Sequence, residues 1–122
     1  MIIGAISKYW NHQKIYISGY ESGGCLATLV AHILDLRGTK VSAVYTFGSP
    51  KVGDLEWSQA YPKQLNQNTY RIAHHSDFFP AHPSDRNWFH VGKLHTVGNT
   101  VLNEQDPHSM ESYFNALLPH HK

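Results

Sequence analysis

Three residues along this chain have the types and the order that hydrolytic chemistry uses: Glu21, then Asp77, then His108. Glu21 stands at the centre of "YISGYESGGC", with Gly19 two residues before it and Gly23 two after. An apolar strand that runs into such a turn and out into a helix lifts its central residue onto a tight bend at the sheet's C-terminal edge. The flanking glycines allow close approach where a Cβ would clash, and the helix amides behind the bend offer a positive end to an anion. A nucleophile, an acid and a histidine base in that order would form an acyl-transfer triad. The bend here carries a carboxylate in place of a hydroxyl. Glutamate has no proton to hand to a base at neutral pH, and its attack on an ester would give a high-energy anhydride.

The elements that must hold these residues follow from pattern. Residues 2–12 read as a short helix with Ile2, Ile3, Ile6 and Trp10 on one side, followed by a strand over 15–18. Residues 24–37 are the strongest helix: Leu26, Leu29, Val30, Ile33 and Leu34 recur at helical spacing, and Gly38 ends it. "KVSAVYTFG" is a near-continuous apolar run, as expected of a parallel strand covered on both faces. Asp54 can cap a helix that Pro62 cuts short, and "TYRIA" is a third strand. "WFHVGKLHTVG" reads as one strand or a bent pair, and a last helix opens at Pro107 or His108 and runs through Leu117. Strands alternating with helices predict an α/β fold with a mainly parallel sheet.

Bulk properties narrow the classes. At 122 residues the chain fits one domain with a real core. A net charge of +1, without a basic stripe, argues against a nucleic-acid partner. One cysteine, Cys25, excludes an internal disulfide. Ser7, Lys8 and Asn11 interrupt the opening apolar patch too soon for a signal or membrane-spanning segment, so the compartment stays open. The closing "HHK" reads as a solvated tail.

Five stretches in order resemble the class 3, or fungal-type, lipases of the α/β-hydrolase fold, from about residue 13 to about 117. They are "ISGYESGGCLATLVA", "YTFGSPKVGD", "YRIAHHSDFFPAHP", "FHVGKLHTV" and "DPHSMESYF". The resemblance implies Asp77 as the triad acid, His108 as the base and the backbone N–H of Ser22 as one oxyanion donor. It also sharpens the departures. The family's serine is Glu21 here, its preceding histidine is Tyr20 and its following leucine is Ser22. The family has several strands, a lid and a second oxyanion donor upstream, whereas this chain begins one helix before the bend. Residues 1–122 are therefore expected to form a single truncated lipase-like domain, the C-terminal half of the fold.

The expected function is that of a pseudo-lipase acting by binding, of a lipid or ester, or by assembly. The alternative is a weak or unusual esterase using Ser22 or Glu21 with His108 and Asp77. Ser22 lies one residue off the apex, and attack geometry tolerates about an ångström. Glu21 would have to displace at carbon, with His108 then activating water. Cys25, in the first turn of the helix, suits either a thiolate or a packing residue, and packing is the simpler role. Glu21, His108 and Asp77 can instead form a carboxylate–imidazolium–carboxylate cluster with His108 held charged. A metal held by that trio with His74 or His75 is less favoured, since no HxxxH or CxxC spacing occurs. No cofactor is expected. Strand 15–18 would be left as an open edge, which predicts a homodimer or a partner chain covering it.

Overall fold

The computed structural model describes residues 2–98 and 106–118; the C-terminal "HHK" lies outside them. In chain order the elements are α1 (Ile2–Tyr9), β1 (Tyr16–Tyr20), α2 (Ser22–Leu36), β2 (Ala43–Phe47), β3 (Gly53–Asp54) and α3 (Leu55–Ala60). There follow α4 (Lys63–Gln67), β4 (Thr69–His74), β5 (Trp88–Phe89), β6 (Lys93–Val97) and α5 (Met110–Leu117). The main sheet has the order β1-β2-β4-β6 and every pairing in it is parallel. Ile17 lies opposite Val44, Val44 opposite Thr69 and Tyr70 opposite Lys93. This is the expected α/β architecture, a parallel sheet with flanking helices.

Helix α2 packs across β1 and β2, and its register corrects the sequence reading. Its buried residues are Gly24, Ala27, Thr28, Ala31, His32 and Leu34. Leu26, Leu29 and Ile33, expected to face the core, are exposed instead. The reason is distance: small side chains let the helix backbone approach the sheet, whereas a leucine stripe would hold it away. The core that results joins Ala27, Ala31, Leu34, Val41, Val44, Tyr61, Leu65 and Val91, with Ile3, Ile6, Ile17, Val30 and Trp57 packed around it. The end of α2 is as read. Gly38 donates to Asp35 O and Thr39 to Leu34 O, which closes the last carbonyls in a Schellman motif.

The expectation that β2 is covered on both faces also changes. Val44 and Thr46 are buried under α2. On the other face Tyr45, Phe47, Tyr70, Ile72, His95, Thr96, Val97 and Leu117 line an open groove of about 460 Å³ among the described residues. Tyr45 and Tyr70 stack along it at 5.2 Å. "WFHVGKLHTVG" is indeed broken in two, and the halves belong to different sheets: β5 pairs antiparallel with β3, while β6 extends the main sheet beside β4. Asp54 caps α3 by accepting from the Trp57 N–H at 2.8 Å, and the last helix starts at Met110, capped by Ser109.

Candidate active site

The bend after β1 is built as its sequence requires. Glu21 has φ 57° and ψ −124°, a conformation that costs of the order of 1–3 kcal/mol for a residue with a side chain. Two backbone bonds fix it: its N–H donates to Phe47 O and its carbonyl accepts from the Gly24 N–H, both at 2.9 Å. A Cβ on Gly19 would collide with the Gly23 carbonyl, so β1 and α2 can meet at this angle only over a glycine. Gly23 itself has open space where a Cβ would go, which corrects its expected role. The crowded position is Gly24, whose added Cβ would lie 2.6 Å from the Ser49 Cβ.

Asp77 and His108 arrive at this bend from the loop after β4 and from the approach to α5. His108 Nδ1 lies 2.7 Å from Asp77 Oδ2. The same Oδ2 accepts from the Tyr113 hydroxyl at 2.6 Å, and Oδ1 accepts from the Phe79 N–H at 2.8 Å. The Tyr113 hydroxyl accepts in turn from the His74 N–H at 2.9 Å, which ties the acid to the end of β4. Gly48, at φ 61°, leaves room for this cluster, since a Cβ there would come within 2.9 Å of Asp77 Oδ2.

His108 is held on both faces. Its ring stacks against Phe79 at 4.3 Å and against Tyr20 at 5.2 Å, and the Tyr20 hydroxyl donates to the His108 carbonyl at 2.6 Å. Its Nε2 faces Glu21 Oε2 at 3.4 Å. At that separation the contact does not close a hydrogen bond and acts chiefly through charge. Partial burial pulls the His108 pKa down, but the bond and charge of Asp77, with the charge of Glu21, outweigh it and raise the value. The imidazolium is thereby favoured.

The structure thus brings Glu21, Asp77 and His108 together. Ser22 opens α2 as its first residue, which leaves its N–H among the first-turn amides that lack a helical partner. Its side chain is exposed and makes no hydrogen bond to His108. Cys25 is half-buried, with Sγ 3.7 Å from Ser49 Oγ and 3.5 Å from Pro50 O; burial pushes its thiol up, against a thiolate. His74 is buried at the end of β4 against Tyr113, and His75 is exposed. Among the described residues no three His, Cys, Asp or Glu side chains are disposed to hold a metal ion. Sequence reasoning missed Tyr113 and the Tyr20–Phe79 clamp. The available signals were the tyrosine in the helix that follows His108 and the aromatics beside Glu21 and Asp77.

Residues 3–87 match the family model "Lipase (class 3)". "Lipase ZK262.3" of Caenorhabditis elegans is 39% identical over 82 residues, which are 65% of this chain and 23% of that protein. "Triacylglycerol lipase OBL1" of Arabidopsis thaliana is 31% identical over 86 residues, 64% of this chain and 17% of that protein. The Rhizomucor miehei triacylglyceride lipase superposes with a TM-score of 0.66 at 22% identity, over 80% of this chain and 38% of that one. The chain therefore spans under a quarter of these curated relatives. The family model covers well over half of the chain, including the bend and Asp77, and on that ground the chain belongs to the class 3 lipase family.

Proposed function

We propose that this is a class 3 lipase-family domain in which acyl transfer at the bend is blocked, and which works by binding a lipid or ester or by assembly. The observation that carries this reading is the 3.4 Å approach of the Glu21 carboxylate to His108 Nε2, where an acyl-transfer site needs a hydroxyl whose proton the base can take. Against the pull of partial burial, the Asp77 and Glu21 carboxylates raise the His108 pKa and so favour the imidazolium, the form that has no lone pair at Nε2 to take a proton. Asp77, Tyr113 and the stacked rings keep the ring in place all the same. Asp77 and His108 are read as the family's acid and base, and the Ser22 N–H as an oxyanion donor.

That intact acid–base pair also favours a second reading, a weak esterase through Ser22 or through Glu21 as a carboxylate nucleophile. Turnover of a short-chain aryl ester separates the two. The first reading expects none above background in the parent protein. Turnover that disappears in His108→Ala and in either Ser22→Ala or Glu21→Ala would establish the second.

A further inference from the structure

We infer that Glu21 and His108 together open epoxides: the Glu21 carboxylate attacks a ring carbon, His108 Nε2 protonates the ring oxygen, and water then releases a diol. This goes beyond the proposed function and leaves the block to acyl transfer standing, because the bond attacked is at saturated carbon. Attack of a carboxylate on an ester carbonyl gives an anhydride, whereas its attack on an epoxide carbon gives an ordinary ester. The apex of the bend therefore suits an alkyl group where it does not suit an acyl group. Glu21 is not tied into the helix it precedes, since its side chain makes no capping bond to α2. Its Oε2 faces His108 Nε2 at 3.4 Å, so that the two can meet the carbon and the oxygen of one three-membered ring.

The protonation states fit both steps. His108 Nδ1 lies 2.7 Å from Asp77 Oδ2, and a carboxylate there keeps a proton on Nδ1 and makes Nε2 the working nitrogen. Partial burial opposes the charged ring, but Asp77 and Glu21 outweigh it and favour the imidazolium, which has a proton at Nε2 to give. In the first step a Glu21 oxygen bonds to a ring carbon, the ring carbon–oxygen bond breaks, and the freed oxygen takes the proton from Nε2. A hydroxyalkyl ester of Glu21 and a neutral imidazole result. Esterification removes one of the two anions that favoured the charged ring, so the group that served as acid can now serve as base. In the second step Nε2 takes a proton from water as the water oxygen attacks the Glu21 ester carbon. The bond from that carbon to the alkoxy oxygen breaks, the alkoxide recovers the proton from Nε2, and the diol departs. The Glu21 acid then passes its proton to Nε2, which restores the starting pair. The sum is epoxide plus water to diol. Phe79 and Tyr20, stacked on His108 at 4.3 and 5.2 Å, keep Nε2 facing Glu21 through both steps. An alkyl halide would leave without using the proton that this site holds ready, which is why the geometry points to an epoxide.

The test supplies styrene oxide to the 122-residue chain. The parent should form the corresponding diol, and in Glu21→Gln and Glu21→Ala the rate should fall to that in buffer. His108→Gln should slow diol formation by about 10²- to 10⁴-fold. After long incubation and an acid quench, the same variant should carry the mass of one styrene oxide on Glu21. A single turnover with the parent in excess, in water enriched in the heavy oxygen isotope, should place that isotope in the Glu21 carboxylate. Attack by water on the epoxide itself would place it in the diol. Diol formation no faster than in buffer overturns the inference, as does a rate retained in both Glu21 variants or a heavy diol. So does alkylation confined to Cys25 or to exposed histidines. If His108→Gln does not fold, the isotope experiment on the parent still decides. Aryl-ester turnover bears on the proposed function alone, so the two readings can fail independently.

Discussion

The two halves of the candidate site contrast sharply. On the side of Asp77 and His108, Asp77 is almost fully buried, and its two oxygens accept from His108, Tyr113 and the Phe79 N–H. On the side of the bend the backbone is strained, with φ 57° at residue 21, and the Glu21 side chain is 40% exposed and reaches His108 only at 3.4 Å. The backbone needed to mount a nucleophile and the side chain needed to be one are separable. The bend is held by Gly19, Gly24 and bonds to β2, none of which depends on the chemistry of the apex residue. Asp77 also ties the site to the sheet, because Tyr113 joins it to the end of β4. The bend can therefore stand whichever side chain occupies position 21.

The largest expected effect sharpens this contrast. Glu21→Ser places a hydroxyl at the apex of the bend, opposite His108. It should raise aryl-ester turnover by about 10⁴-fold over the parent, the low end of what the loss of a triad member costs. An unchanged rate would mean that the acid–base side is not competent either. Next in size, Tyr113→Phe removes a bond to Asp77 and leaves the buried His74 N–H without its acceptor. Denaturant unfolding should show a loss of about 1–3 kcal/mol.

A smaller effect lies outside the site. His90 donates from Nε2 to the Pro80 carbonyl at 2.6 Å, and its pKa is pushed down to about 4, chiefly by burial, then by Arg71 and Lys51 against that bond. Below its ordinary 6.5 the unfolded chain takes a proton that the folded chain refuses. Stability should then fall as pH drops from about 6.5 to about 4. His90→Gln should flatten that slope in melts across this range, and an unaltered slope would assign it to other groups. The smallest effect returns to the bend. Glu21→Gln removes one of the two anions that raise the His108 pKa, so the His108 titration followed by NMR should move down while the Asp77 bond persists. For this group the sign is opposite to that of His90. A folded-state value above the unfolded one gives stability that is full below the unfolded value and lost as pH rises through the raised one.

Much of the fold was legible because it is local. The strand–bend–helix around Glu21, the Asp54 cap and the Gly38 ending are each set by residues within a turn of one another. The order of Glu21, Asp77 and His108 marked the site because their loops lie at the same end of a parallel sheet. What sequence hid is long-range or competitive. Tyr113 meets Asp77 across 36 residues, and His108 lies between Tyr20 and Phe79, which no periodicity connects. The face that α2 buries was misread because its leucine stripe and its small-residue stripe both have helical spacing. Close packing on the sheet selected the small one.

The most direct test of the central claim is labelling with a fluorophosphonate probe, read by mass spectrometry on the parent protein and on Glu21→Ser. The account predicts an unmodified parent and a single adduct at position 21 in the variant. An adduct on Ser22 of the parent would contradict it.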